Sequence, residues 1–278
     1  MSKRTKIRLI IYSVLGVLLT ALVFLIPFYF LIITSFKNRT EASWMELSLP
    51  SSYHIIENYR NVLTVQNGVV VRSFLNSTII TLFSVFGILI VCSMAGFVMQ
   101  RRKSKLSGLW NLLIMIGLII PPAIVPTIWV LQALHIFKTL PSMILLEVAF
   151  LFPFSTLLYK GFMATIPKEI DEAAVMDGCG RIRLFFQIIF PLLKPINIAI
   201  IVLTSVNVYS DFVNPLYFLP GVKNTTIQLT LFRFIGQFSN RWNLLFAGVI
   251  LIIIPILILY IFINKQIIAG MTAGSLKQ

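Results

Sequence analysis

The chain reads as an all-α polytopic membrane protein with six transmembrane helices, on three observations. Hydrophobic residues make up 58% of its 278 residues and charged ones only 12%, against about 25% charged in an ordinary soluble domain. Mean hydropathy is +0.94, so lipid must be the solvent for most of it. Six segments are long enough to span: Leu9–Ile33, Phe74–Val98, Leu109–Leu131, Leu140–Tyr159, Ile188–Ser210 and Leu244–Ile263. A hydrocarbon core of about 30 Å takes roughly 20 apolar residues in a helix. Backbone groups in lipid must be satisfied internally, and continuous runs of this length exclude β-barrel strands. One transmembrane domain is expected over residues 1–278, with no internal repeat and no inverted hydropathy between the halves.

The first segment holds 25 uncharged residues and no small-x-small pattern follows Ile33, so it reads as a retained anchor. Charge sets the orientation. With the amino terminus in the cytosol, the inner stretches carry Lys3, Arg4, Lys6, Arg8, Arg101, Arg102, Lys103, Lys105, Lys160, Lys168, Arg181, Arg183, Lys194, Lys265 and Lys277. That is 15, against 8 outside: Lys37, Arg39, Arg60, Arg72, Lys138, Lys223, Arg233 and Arg241. The basic amino terminus and the cluster at residues 101–105 follow the positive-inside rule, which makes both termini cytosolic. The net charge of +14 is therefore topological, and no nucleic-acid partner is expected. Cys92 lies mid-span and Cys179 in an inner loop, so no disulfide framework forms. His54 and His135 are far apart with no cysteine pair, and no metal site is expected.

Between the first two spans, Thr34 to Ser73 reads as a 40-residue external loop. Within it Tyr53–Leu63 has helical spacing of Ile55, Ile56, Tyr59, Val62 and Leu63. It would either rest on the membrane interface or dock a partner. The second span opens with Asn76, Ser77 and Thr78, polar groups that suit helix contacts better than lipid. Pro121, Pro122 and Pro126 interrupt the third span, where missing donors force a break or kink. Freed carbonyls at membrane depth are tolerated against protein or a water-filled cavity. The third span then lines a packed interior or a pathway, or is simply kinked.

Glu147, in the fourth span, is the one acidic residue well inside any span. A carboxylate in lipid costs several kcal/mol, so it should face a cavity, pair, take a proton, or sit at the interface of a shifted span. The fifth span begins with Pro191 and Pro195 and ends in Asn207, Tyr209, Ser210, Asp211 and Asn214-Pro215. This polar end reads as the outer mouth. An external loop over Asp211–Asn243 leads to an apolar last span containing Pro255.

The stretch 160–187 is charged and lies between two apolar spans. Pro167 suits a first helical turn, and Glu169, Asp171 and Glu172 follow at its positive end. Ile170, Ala173, Ala174 and Asp177 share one face, which the alanines make flat enough for another backbone to approach. Gly178 supplies the left-handed residue that ends a helix, and Gly180 loosens the turn. A second helix is expected to restart at Arg181 and run into the fifth span without a break. Such a hairpin is either a rigid lever on the pathway or an ordinary closing turn.

At these residues a family resemblance becomes close. Glu172-Ala173-Ala174-xxx-Gly178, then nine residues to Ile188-x-Phe190-Pro191, resembles the EAA loop of binding-protein-dependent ABC importer permeases, with Phe190 in place of a leucine. Asp177 and Pro195 also fit. Pro27-Phe28, Ser35-Phe36-Lys37, Glu57-Asn58-Tyr59, Asn76-Ser77, Asp211-Phe212-x-x-Pro215-Leu216 and Thr272-Ala273-Gly274 are similar to carbohydrate-uptake permeases. The chain is similar to the smaller six-span subunit of maltose-type importers. Tyr209-Ser210-Asp211 stands where the family commonly has Trp-Asn-Glu, so no sugar contact carries over there.

The resemblance implies a type I ABC importer permease fold with a cytosolic coupling helix, in a bacterial cell membrane. It implies a heterodimeric pore with a sister permease, two copies of a cytosolic ATPase and an extracytoplasmic sugar-binding protein. ATP and Mg would be bound by the ATPase, and none by this chain, which has no GxxxxGK[ST] segment. Coupling to the ATPase would fall to Glu172, Ala173, Ala174, Met176, Asp177 and Gly178. Candidates for the substrate pathway are Asn76, Glu147, Asn207, Tyr209 and Asn214, because amides and hydroxyls bond sugar hydroxyls and aromatic rings stack on sugar faces. The alternative is an ion-coupled secondary transporter, which needs acidic groups near the bilayer midplane; Glu147 alone qualifies. A membrane enzyme would want a His/Asp, Ser/Lys or HExxH constellation, and neither histidine has one.

Overall fold

A computed structural model describes the backbone of residues 3–102, 104–237 and 240–275. It describes side chains from Tyr12 to Ile261, apart from those of 66, 103, 233–235, 237–239, 256, 259 and 260. Lys103, Lys277 and the side chains of Thr272-Ala273-Gly274 thus lie outside the described residues. Every regular element among the described residues is a helix. By backbone contacts the chain divides into two compact units, Met1–Val70 with Thr230–Ile254, and Val71–Leu229 with Pro255–Gln278.

Helix α1, Lys3–Phe36, contains the first expected span. Only 6% of its most apolar window is covered by the rest of the chain, so its surface needs lipid or another protein. The short α2, Arg39–Ser43, is capped by the Asn38 side chain, which accepts from the N–H of Glu41. Helix α3, Ile55–Arg101, runs for 47 residues and overturns the expected 40-residue loop. The amphipathic stretch at 53–63 and the second span are one helical run, marked by left-handed φ values of 54° at Asn67 and 73° at Gly68. A glycine tolerates that backbone, and an asparagine does so at small cost. Two breakers in sequence therefore do not end the run.

The third span is broken as its prolines require. Helices α4, Ser107–Ile119, and α5, Ile124–Ala133, meet at 114° across Ile120–Ala123. Helix α6, Leu140–Met163, is the fourth span, started by Thr139, whose hydroxyl accepts from the N–H of Ser142. Helix α7, Glu169–Met176, follows as expected.

The continuity expected beyond Arg181 fails. Helix α8, Arg181–Leu192, and α9, Lys194–Ser210, are bent by 77° at Leu193. Pro195 has no N–H to give Pro191, and its ring excludes the carbonyl four residues back. Within α8, Leu184–Ile189 is wound as a π-turn, an insertion often found at functional sites. Helices α10, Val213–Phe218, α11, Ile227–Gln237, and α12, Trp242–Ser275, complete the chain.

Length and composition support three unbroken spanning helices among the described residues, or five if each bent pair counts as one span. The sixth expected segment lies in α12, whose described apolar stretch, Trp242–Pro255, falls short of a full span. Prolines break the third and fifth expected segments into bent pairs, and the sixth continues past the residues whose side chains are described.

Each unit has its own ties. In the first, Asn58 donates to the carbonyls of Ser35 and Lys37 at 2.8 and 2.9 Å, and accepts from Asn243 at 2.8 Å. Lys37, 1% exposed, donates to the carbonyl of Glu46 at 2.7 Å. Ser35 and Tyr59 share a hydrogen bond of 3.2 Å. The Ser-Phe-Lys and Glu-Asn-Tyr motifs therefore knot the chain after α1 to the start of α3. In the second unit a Cβ at Gly96 would stand 2.6 Å from Tyr159 Cβ. Glycine is what lets α3 and α6 touch backbone to backbone, the usual way helices associate where lipid removes the hydrophobic drive.

Candidate functional site

The inner-loop helix α7 is built into the second unit from its sequence upward. Glu169, Asp171 and Glu172 occupy its first turn, where the helix dipole favours negative charge. Its end is a Schellman closure. The N–H of Cys179 reaches the carbonyl of Ala174, and that of Gly178 reaches Val175, both at 3.0 Å. Gly178 takes φ +78°, as such an ending requires. Cys179 packs against the same cluster as Ala174, the apolar contact that accompanies this closure.

One face of α7 is rooted in the protein. Ala174 is 7% exposed and joins a buried cluster with Ile88 and Cys92 of α3, Tyr159 and Met163 of α6, Phe185 and Ile189 of α8, and Ile200 of α9. Ile170 packs against it. At the end of α3, Arg101 Nε lies 2.7 Å from Asp171 Oδ2, an ion pair rather than an aligned hydrogen bond. Arg101 Nη2 also donates to the carbonyl of Ile166 at 3.0 Å and to that of Pro167 at 3.4 Å.

The other face is bare. Val175 is 57% exposed, Met176 86% and Ile182, just past the turn, 77%; Glu172, Ala173, Asp177 and Gly178 are exposed with them. The flat double-alanine face is therefore divided. Ala174 points to the body, and Ala173 to the outside with Met176. A spacing of one residue turns a helix by about 100°, so adjacent alanines cannot serve one surface. The bend at Leu193 also removes the straight rod expected between this turn and the fifth span. Ala174 of α7 and Ile200 of α9 instead belong to one shared cluster.

At the other end of the same helices, Glu147 is 2% exposed and Tyr209 7%. Glu147 Oε1, the Tyr209 hydroxyl and Asp211 Oδ2 are buried without a hydrogen bond of good geometry. Glu147 and Asp211 lie within electrostatic reach of each other. Asp211 Oδ1 caps α10, accepting from the N–H of Asn214 at 3.2 Å. Asp211 was legible only as part of the Asp-Phe-x-x-Pro motif, and its proximity to Glu147 was not.

Asn76 is employed otherwise, donating to the carbonyl of Thr225 at 3.0 Å and of Lys223 at 3.4 Å. Ser77 beside it accepts from the N–H of Ile227 at 2.9 Å. The pair thus ties α3 to the segment before α11. Asn207 is exposed. The structure thus brings together Glu147 and Asp211, while Asn76 and Asn207 stand elsewhere.

The family model described as binding-protein-dependent transport system inner membrane component matches residues 87–272. The chain belongs to that family. The matched stretch takes in α7 and its whole seat. This permease is 31% identical, over 99% of its length and 100% of the relative's, to the probable starch degradation products transport system permease protein AmyC of Thermoanaerobacterium thermosulfurigenes. It is 33% identical, over 91% of both chains, to the melibiose/raffinose/stachyose import permease protein MelC of Bacillus subtilis. The permease also shares its fold with a chain of a bacterial ABC transporter involved in the import of the acidic polysaccharide alginate. That likeness has a TM-score of 0.83 at 18% identity and covers 95% of this chain and 98% of the other.

Proposed function

We propose that this permease is the membrane subunit of an ATP-driven ABC importer for sugars, oligosaccharides in particular. It forms a pore with a sister permease, receives cargo from an extracytoplasmic solute-binding protein, and couples to two copies of a cytosolic ATPase that binds ATP and Mg. Both termini face the cytosol of a bacterial cell. The observation that carries the coupling role is the two-faced α7. Its inner side is pinned by Ala174 and the Arg101–Asp171 pair, while Val175 and Met176 stand in the open. Uncovered apolar side chains on a rigid charged element mark a protein contact. Names of relatives with full-length similarity, which refer to starch degradation products and to melibiose, raffinose and stachyose, support sugars as cargo.

The test is a photo-crosslinking residue at position 176 in the assembled importer, with uptake of a labelled sugar panel measured in parallel. An adduct with the ATPase and ATP-dependent sugar uptake are expected. An importer that transports while position 176 never touches the ATPase would overturn the coupling assignment. Uptake by this chain alone, driven by an ion gradient and indifferent to ATP, would replace the whole reading with that of a secondary carrier.

A further inference from the structure

In the second unit a crevice of about 680 Å³ opens between α3, α4 and α6. That is far more than the ~30 Å³ one water takes in the liquid. Its wall is apolar, formed by Val98, Leu113, Ile114, Phe152 and Pro153. Its rim is polar and basic. Arg102 and Asn111 line it, and Trp110 stands beside them, 53% exposed.

The rim is shaped by its own hydrogen bonds. Ser107 Oγ accepts from the N–H of Ser104 at 2.8 Å, and Asn111 donates to the carbonyl of Ser107 at 2.8 Å. Asn111 Oδ1 in turn accepts from Lys160 Nζ at 2.6 Å, bringing a second cation to the rim. Arg101 is committed to Asp171, but among the described residues no carboxylate pairs with Arg102 or Lys160. Uncompensated positive charge over an apolar slot, at the depth where α4 begins, has the polarity of a phospholipid read from head to tail. Tryptophan at that level is the usual companion of a membrane interface.

We propose that this crevice takes an acyl chain of an anionic phospholipid whose phosphate rests on Arg102, with Lys160 close by. The occupant comes from the leaflet that meets the 101–105 turn, where basic pockets between spans favour anionic head groups. The inference uses the membrane reading above and is independent of the cargo.

The test reconstitutes the whole importer with photoactivatable phosphatidylglycerol, or with phosphatidylcholine carrying the same acyl chain, and maps the adducts by mass spectrometry. Phosphatidylglycerol should label the segment 95–114 well above phosphatidylcholine. Arg102→Gln should lower that labelling about five-fold, the scale of one basic contact with an anionic surface. Ala95→Phe, which fills the crevice wall, should lower labelling by both lipids with Arg102 intact. Equal labelling by the two lipids, labelling indifferent to Arg102→Gln, or adducts confined to other segments would overturn the proposal. Sugar uptake is followed in the same vesicles. Intact uptake without a lipid adduct sinks this inference alone, whereas loss of ATP-dependent uptake in the unaltered complex sinks the importer reading.

Discussion

The two ends of the second unit's helices treat polar groups in opposite ways. Around α7, Asp171 and the carbonyls of Ile166 and Pro167 all find Arg101, and the free end closes on its own backbone. At the Glu147 end, Glu147 Oε1 and the nearby Asp211 Oδ2 are buried without a well-formed hydrogen bond. What α7 leaves open is apolar: Val175 and Met176. What the other end leaves open is polar and buried. A buried polar group without a partner costs roughly 1–3 kcal/mol, and such a cost persists where something else, a ligand or another chain, completes the site. The α7 end exposes apolar side chains, whereas the Glu147 end buries unpaired carboxyl oxygens.

That contrast can be broken by mutation, most heavily at the ion pair. Arg101→Ala leaves Asp171 and two carbonyls stranded, and should destabilise by about 2–3 kcal/mol, below the range for a fully buried pair. A thermal unfolding midpoint in detergent that does not move would show that α7 is not seated there. Gly96→Ala forces a methyl against Tyr159, and overpacking of this kind costs about 1–3 kcal/mol. Its effect is read from unfolding together with uptake, and an unchanged protein would deny the close contact of α3 and α6.

Gly178→Val comes next. Nothing stands within 4 Å of the added Cβ, so the penalty is backbone strain alone, about 1–2 kcal/mol for a left-handed residue. The protein should insert and stay folded yet lose ATPase association, measured by co-purification; full association would count against α7 as the docking element. Glu147→Gln removes one of two neighbouring carboxyl groups and should leave the unfolding midpoint equal or raised while altering uptake. Unchanged rate and substrate range across a sugar panel would take Glu147 out of the pathway. Met176→Ala sharpens the comparison at least energetic cost. As an exposed change it should stay within about 0.5 kcal/mol and still weaken ATPase co-purification.

Much of this was legible along the chain. The Gly178 terminus, the acidic first turn of α7 and the break at Pro121-Pro122 follow from local backbone chemistry, which needs no partner to act. The stretch 34–73 was read as a loop because its polar residues mark the end of the apolar runs, whereas the helix of the second span begins at Ile55. The unbroken passage from Arg181 into the fifth span was misread because apolar continuity does not register Pro195, which lacks the N–H that would reach Pro191. The pairing of Arg101 with Asp171, 70 residues apart, and of Glu147 with Asp211 left no local trace.

Hydropathy alone was enough to identify a helical membrane protein, because lipid acts on each segment independently. The spacing of Glu172, Gly178 and Pro191 was enough to indicate the family. Which alanine faces inward, which carboxylates meet and which asparagines serve as ties depended on the three-dimensional packing. Each of those facts is set by helix rotation and crossing, and both follow from side chains distant in sequence coming into contact.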